Sequence, residues 1–233
     1  TTEGNWEKGK NILHRKNSLK LHALNHEHYT SDFENHLRSI RKRLLQHRSY
    51  RTRPGLDDKL LCSWNALMIK AFLVASKTGS GPECSHYRQM ALNQLGFMTT
   101  SFTQNDGSLH RIYKSGKSSI DGMLDDYAFL ISALLEAYQT VFDESHLLLA
   151  RQLTDYCLMH FNDPDDVLFF YTHQRSTGLV ARMKERNDNV IPASNSEMAI
   201  NLLILGTLFD QPDYIRRSVA MLNQVADELS SNL

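Results

Sequence analysis

Cysteine is scarce. The 233 residues hold three, Cys62, Cys84 and Cys157, which are odd in number, far apart and without a CxxC spacing. That argues against a disulfide framework or a zinc site and fits a reducing, cytoplasmic compartment. Long apolar runs are missing too, since no stretch approaches the ~18 residues of a membrane span. Neither charge sign is in excess: 26 Lys and Arg balance 26 Asp and Glu. A broad surface for nucleic acid or an anionic membrane is therefore not expected. The motifs GxSxG, Walker A, HExxH and GxGxxG are absent, so no nucleophile elbow, nucleotide loop or zinc-protease helix is declared. No cofactor and no metal is expected. The opening "TTEGNWEKGKN" has no initiating Met and no signal-peptide pattern, and it reads as part of a longer chain.

What is present describes a globular protein, with 41% hydrophobic and 22% charged residues. The length suits one large domain or two small ones. In "HALNHEHYT", His22, His26 and His28 read as solvated loop residues rather than metal ligands. "SDFENHLRSIRKRLLQHRSY" has the Ser31/Glu34 spacing of a capping box and one apolar stripe through Phe33, Leu37, Ile40, Leu44 and Leu45. It predicts an amphipathic outer helix whose basic run is a solvated face.

The helix beginning near Trp64 is different. Apolar residues surround it, Lys70 is its lone charge before Lys77, and Gly79 stops it. Such a helix is expected to be buried on most sides. Two more of this kind follow, "GMLDDYAFLISALLEAYQTVF" and "SNSEMAINLLILGTLF". Between and after them lie amphipathic partners near 85–102, 144–161 and 212–228. The order outer, inner, outer, inner, outer, inner, outer is an internal repeat of helical hairpins. Segments leading into inner helices are long. The one before the second inner helix carries Asp106-Gly107 and Ser115-Gly116, which predict a small hairpin. The one before the third, from about 166 to 193, suggests two short strands. All the elaborate loops then fall on one face of a rigid scaffold, where sites are usually built.

Charge gathers at each inner-helix mouth. The first carries Arg53, Asp57, Asp58 and Lys59, then Trp64 and Asn65. The second has Asp125, Asp126 and Tyr127 after His110, Arg111 and Lys117. The third has Arg182, Lys184, Glu185, Arg186 and Asp188 before Asn195. Helix N-termini favour Asp, Asn and Ser for their own stability, so Asp125, Ser63 and Ser194 have a plain reading as caps. A second carboxylate in a pair is redundant for capping. Asp58, Asp126 and Asp188 are therefore the candidate catalytic acids. Parallel inner helices would bring the mouths into one polar cavity. Two carboxylates flanking a bond suit glycoside hydrolysis. A base and an acid, with His110 and His173 available, suit epimerisation beside a carbonyl. Trp64, Tyr113, Tyr127 and Tyr171 offer either platforms for a sugar ring or core packing.

The segments "EGNWEKGKNILH", "RPGLDDKLLCSWNALMI", "GMLDDYAFLISALLEAY" and "RMKERNDNVIPASNSEMAINLL" resemble the C-terminal part of the spermatogenesis-associated protein 20 / YyaL family. The resemblance implies an all-α fold, an (α/α) toroid of helical hairpins similar to N-acylglucosamine 2-epimerases and six-hairpin glycosidases. It implies an incomplete ring across 1–233, a single toroid domain or part of one, without the family's thioredoxin-like domain. Asp57, Asp58, Trp64, Asn65, Asp125, Asp126, Tyr127, Lys184, Glu185, Asp188, Pro192 and Asn195 match its motifs. Cys62, Ala66, Ala193 and Glu197 depart from them, and Glu197 adds a charge.

Two functions follow as expectations. One is carbohydrate processing, by hydrolysis or epimerisation, of a small-molecule sugar. The other is a non-catalytic toroid that binds a ligand or peptide for a linked thioredoxin-like domain. An incomplete ring leaves its edge helices open, which predicts a homodimer.

Overall fold

The computed structural model describes residues 30–104 and 106–231 with five isolated positions before Thr30, so His22, His26 and His28 lie outside the described residues. The chain forms two compact units, Thr1–Asp57 and Asp58–Leu233. The first contains helix α1 (Thr30–Ser49). Its Phe33, Leu37 and Ile40 are half-buried, while Leu44, Leu45 and the basic residues are exposed.

The second unit runs β1 (Leu60–Leu61), α2 (Cys62–Ser76), α3 (Pro82–Phe102), β2 (His110–Lys114), β3 (Lys117–Asp121), α4 (Leu124–Val141), α5 (Glu144–His160), α6 (Ser194–Leu208) and α7 (Pro212–Ser231). Three hairpins pair α2 with α3, α4 with α5 and α6 with α7. Helix α4 also packs on both α2 and α6, so α2, α4 and α6 form an inner row with α4 in the middle.

Position in that row decides burial. Every residue of α4 from Leu124 to Leu135 is buried. No charge interrupts it between Asp126 and Glu136, so it has no face to offer water. The same all-round burial is expected of α2 and α6 but does not hold. Trp64, Met68 and Val74 of α2 are exposed, as are Ile200, Leu203 and Leu208 of α6. Among the described residues, α4 alone of these three has an inner neighbour on each side. Among the described residues, no helix is long and apolar enough to cross a membrane.

The expected hairpin is present as β2 and β3, antiparallel, with Ile112 opposite Ser119. Its turn residues Ser115 and Gly116 both have positive φ, 50° and 81°, as a two-residue turn matching strand twist requires. Strand β1 adds a third member, pairing Leu60 with Tyr113 and Leu61 with Ile112. Two residues are too few to show an alternating pattern, which is why the sequence did not announce it. The two strands expected between 166 and 193 do not form. One isolated bridge, Asp163 with Asp166, is the β-structure there, and side chains hold the segment instead.

Candidate functional site at the mouth of the central inner helix

The mouth of α4 is built around Arg111, carried by β2. Its Nη1 donates to Asp125 Oδ1 and to Asp126 Oδ2, both at 2.8 Å, and Nη2 reaches Asp125 Oδ2 at 3.3 Å. Asp126 has further partners. Its Oδ2 accepts the Met123 N–H at 3.0 Å, which closes the N-terminus of α4. Its Oδ1 accepts the Ser63 N–H at 3.0 Å, at the first turn of α2. One carboxylate thus caps two inner helices and is fully buried. Asp125 is 3% exposed and held by the two-pronged guanidinium.

The backbone makes this approach possible. The Gly122 N–H donates to Leu109 O at 2.6 Å. A Cβ on Gly122 would lie 2.9 Å from that oxygen, so only glycine lets hairpin and helix meet so closely. Tyr127 Oη accepts the Leu109 N–H at 2.8 Å, which tightens the same junction. The Leu124 N–H donates to Tyr171 O at 2.9 Å and draws the long segment over the mouth.

The charges at this junction are coupled. Burial, then the neighbouring Asp125 charge, pushes Asp126 up to about 7, against the pull of Arg111 and two backbone N–H groups. Burial alone would lower Arg111, but the bond to Asp125 and the charges of Asp126 and Asp125 raise it, so it remains a cation. Burial and then Asp125 raise Tyr171, keeping its hydroxyl protonated beside the carboxylate. Burial holds the Cys62 thiol high and therefore unreactive.

The other two mouths differ. At the first, Asp58 is exposed and pairs with Lys114 at 2.6 Å, whose bond lowers it. Trp64 is 59% exposed, and Asn65 Nδ2 donates to Leu61 O at 2.8 Å. Arg53 and Asp57 are exposed and belong to the first unit. At the third, Glu185 Oε2 accepts the Ser194 N–H and Asp188 Oδ1 accepts the Ala193 N–H, each at 2.8 Å. Asn195 bonds both backbone groups of Phe169 and the carbonyl of Glu185. Lys184 is held by Asp163 at 2.5 Å and Asp166 at 2.6 Å. Arg182 donates to Thr172 O and lies 4.0 Å over the Phe170 ring.

The structure therefore brings together Arg111, Asp125 and Asp126, with Tyr171 alongside. Asp58 reaches Lys114 instead, and Asp188, Glu185 and Asn195 hold the start of α6. His110 is half-buried, with a buried Nδ1 that has no hydrogen-bond partner. Tyr127 is a core residue, stacked on Tyr156 at 5.4 Å. Tyr113 packs against Phe97 at 5.1 Å. The capping roles expected of Asp125, Ser63 and Ser194 are not found, and the acid that caps α4 is Asp126, the one expected to be surplus. Both hydroxyls are buried without a partner, and acids from elsewhere take the N–H groups.

One linkage escaped the sequence reading. Lys70 of α2 meets Glu197 of α6 at 2.6 Å, joining the two helices that flank α4. Each carried a signal: Lys70 as the lone charge of an apolar helix, Glu197 as a departure from the family pattern.

This arrangement of hairpins is that of the (α/α) toroid found in six-hairpin glycosidases and sugar epimerases. A sugar epimerase from a ruminal bacterium matches 73% of this chain and 45% of its own, with 16% identity and a TM-score of 0.59. An α-1,6-mannanase of a Salegentibacter species, in an inactive form with two consecutive aspartates changed to asparagine, matches 71% of this chain and 47% of its own, with 12% identity and a TM-score of 0.57. In sequence, the chain is similar to proteins named spermatogenesis-associated protein 20, and the Rattus norvegicus protein is 29% identical over 231 residues, 95% of this chain. The chain spans 29% of the length of that relative. No protein-family model matches it.

Proposed function

We propose that this chain contributes the sugar-binding and reacting groups of a carbohydrate-processing toroid, at the mouth of α4. Asp125 is the reacting carboxylate, and Arg111 and Asp126 are positioning residues that set its charge and direction. The observation that carries this reading is the sharing of Arg111 by two buried carboxylates, one of which already satisfies two helix N-termini. Capping needs Asp126 alone, so Asp125 is surplus to it. Tyr171, at the same point, supplies a protonated hydroxyl and an aromatic face. The inactive mannanase, with its paired aspartates replaced, supports a pair of this kind as working residues in this fold.

The test is incubation of the protein with neutral sugars, sugar acids and short oligosaccharides, followed by NMR of the sugar signals. New anomeric or epimeric signals that disappear in Asp125→Asn are expected. Turnover that survives in that variant would remove Asp125 from the reaction.

A second reading is favoured by one feature. The mouth acids are matched throughout: Asp58 by Lys114, Asp125 and Asp126 by Arg111, and Glu185 and Asp188 by backbone N–H groups. A toroid with no free acid binds without reacting and presents its ligand to a linked domain. Saturable sugar binding with no new NMR signal would select that reading.

A further inference from the structure

The chain as a whole is charge-balanced, but its first unit is not. Between residues 30 and 57, seven Lys and Arg stand against three Asp and Glu. Two of the acids, Asp32 and Glu34, sit in the opening turns of α1, away from its basic end. At that end the last turn closes with Arg51 N–H donating to Arg48 O at 3.0 Å. The chain then leaves the helix through Arg53, Pro54 and Gly55. Helix end and departing segment enclose a cleft of about 690 Å³ lined by Arg48, Arg51, Arg53, Thr52, Leu45 and Leu56, among others.

Among the described residues, none of these three guanidinium groups has a hydrogen-bond or ion-pair partner. Three arginines of the second unit, Arg111, Arg182 and Arg217, are by contrast each held by protein acceptors. One cation in a final turn suits the helix dipole. Arg51 and Arg53 lie beyond the helix and are not needed for that. The third acid, Asp57, follows the lining residue Leu56 and is one negative charge against three guanidinium groups, so like charge remains in excess and an anion placed among the arginines reduces the repulsion.

We propose that this cleft binds a ligand bearing a phosphate or sulfate group, with its oxyanion held by Arg48, Arg51 and Arg53. Guanidinium is suited to the task because its planar fork gives two parallel N–H donors to one oxyanion. Leu45 and Leu56 provide apolar wall for the carrier of the anion. The site belongs to the first unit and stands independently of the sugar chemistry assigned to α4.

The experiment is titration calorimetry on the protein at low salt. The probes are inorganic phosphate, inorganic sulfate, a hexose monophosphate, a hexose monosulfate and the neutral hexose. The variant Arg51→Gln/Arg53→Gln removes two cleft charges. The control Arg38→Gln/Arg43→Gln removes as many from α1 outside the cleft. Binding of at least one anion is expected, weakened about tenfold or more in the cleft variant and about twofold or less in the control. Tighter binding of the hexose esters than of the free anions would mark a carried group as the ligand, and the reverse would mark the free anion. Equal weakening in both variants, or no binding of any anion, would overturn the proposal.

Discussion

The mouths of α4 and α6 have nearly the same ingredients and use them differently. Both place two acids beside basic residues just before, or at the start of, an apolar helix. At α6, Glu185 and Asp188 each take one backbone N–H, and Lys184 is drawn to Asp163 and Asp166. These two acids hold the start of the helix. At α4, one acid does the capping for two helices, and the other faces a shared arginine. Charge at a helix mouth is therefore not a site in itself. A carboxylate beyond the number that capping can use is the distinguishing feature.

Substitutions should separate the two mouths sharply. The largest effect is expected from Arg111→Met, which leaves two buried carboxylates without their counter-charge and should lower stability by about 3–5 kcal/mol in urea unfolding. A loss below about 1 kcal/mol would show that the cluster does not depend on Arg111. Asp126→Asn keeps the shape but presents an N–H where a donor already points, and about 1–3 kcal/mol should be lost.

The same variant has a pH signature. Asp126 in the folded protein sits near 7, above its ordinary 3.8. Over that interval the folded state holds a proton that the unfolded chain releases. The contribution of this group to stability is therefore complete below about 4 and is lost as pH rises through about 7. The advantage of wild type over Asp126→Asn in thermal melting should shrink between about pH 5 and about pH 8, and a growing advantage would contradict the assignment.

At α6, Glu185→Ala removes one cap bond, from the Ser194 N–H, and should cost about 1 kcal/mol in urea unfolding. The smallest effect belongs to Asp58→Asn. Its bond to Lys114 is exposed at both ends, so melting should be unchanged within error.

Much of the architecture was legible because helical periodicity is a local property. The repeat of inner and outer helices, the hairpin turn at Ser115-Gly116 and the proline opening α7 all follow from neighbours in sequence. The burial of α2 was misread for a reason that no local pattern contains. An all-round apolar helix is buried only if something lies on every side, and α2 has α4 on one side and an exposed Trp64 and Met68 on another. The site was partly legible. The pair Asp125-Asp126 was marked by its redundancy and Arg111 by its nearness in sequence, but the sequence pattern assigned the cap to Asp125 and the surplus to Asp126, and the structure reverses them. That Asp126 rather than Ser63 would serve the start of α2 is a relation between positions 63 residues apart. Lys70 and Glu197, 127 residues apart, needed the fold to find each other.

The central claim is that a sugar is bound at the mouth of α4 and not at that of α6. The most direct measurement is a ligand-induced melting shift across a panel of sugars and sugar acids, recorded for wild type, Asp125→Asn and Glu185→Ala. The account predicts a shift with a specific sugar in wild type and Glu185→Ala that is absent in Asp125→Asn. A shift retained by Asp125→Asn, or lost in Glu185→Ala alone, would contradict it.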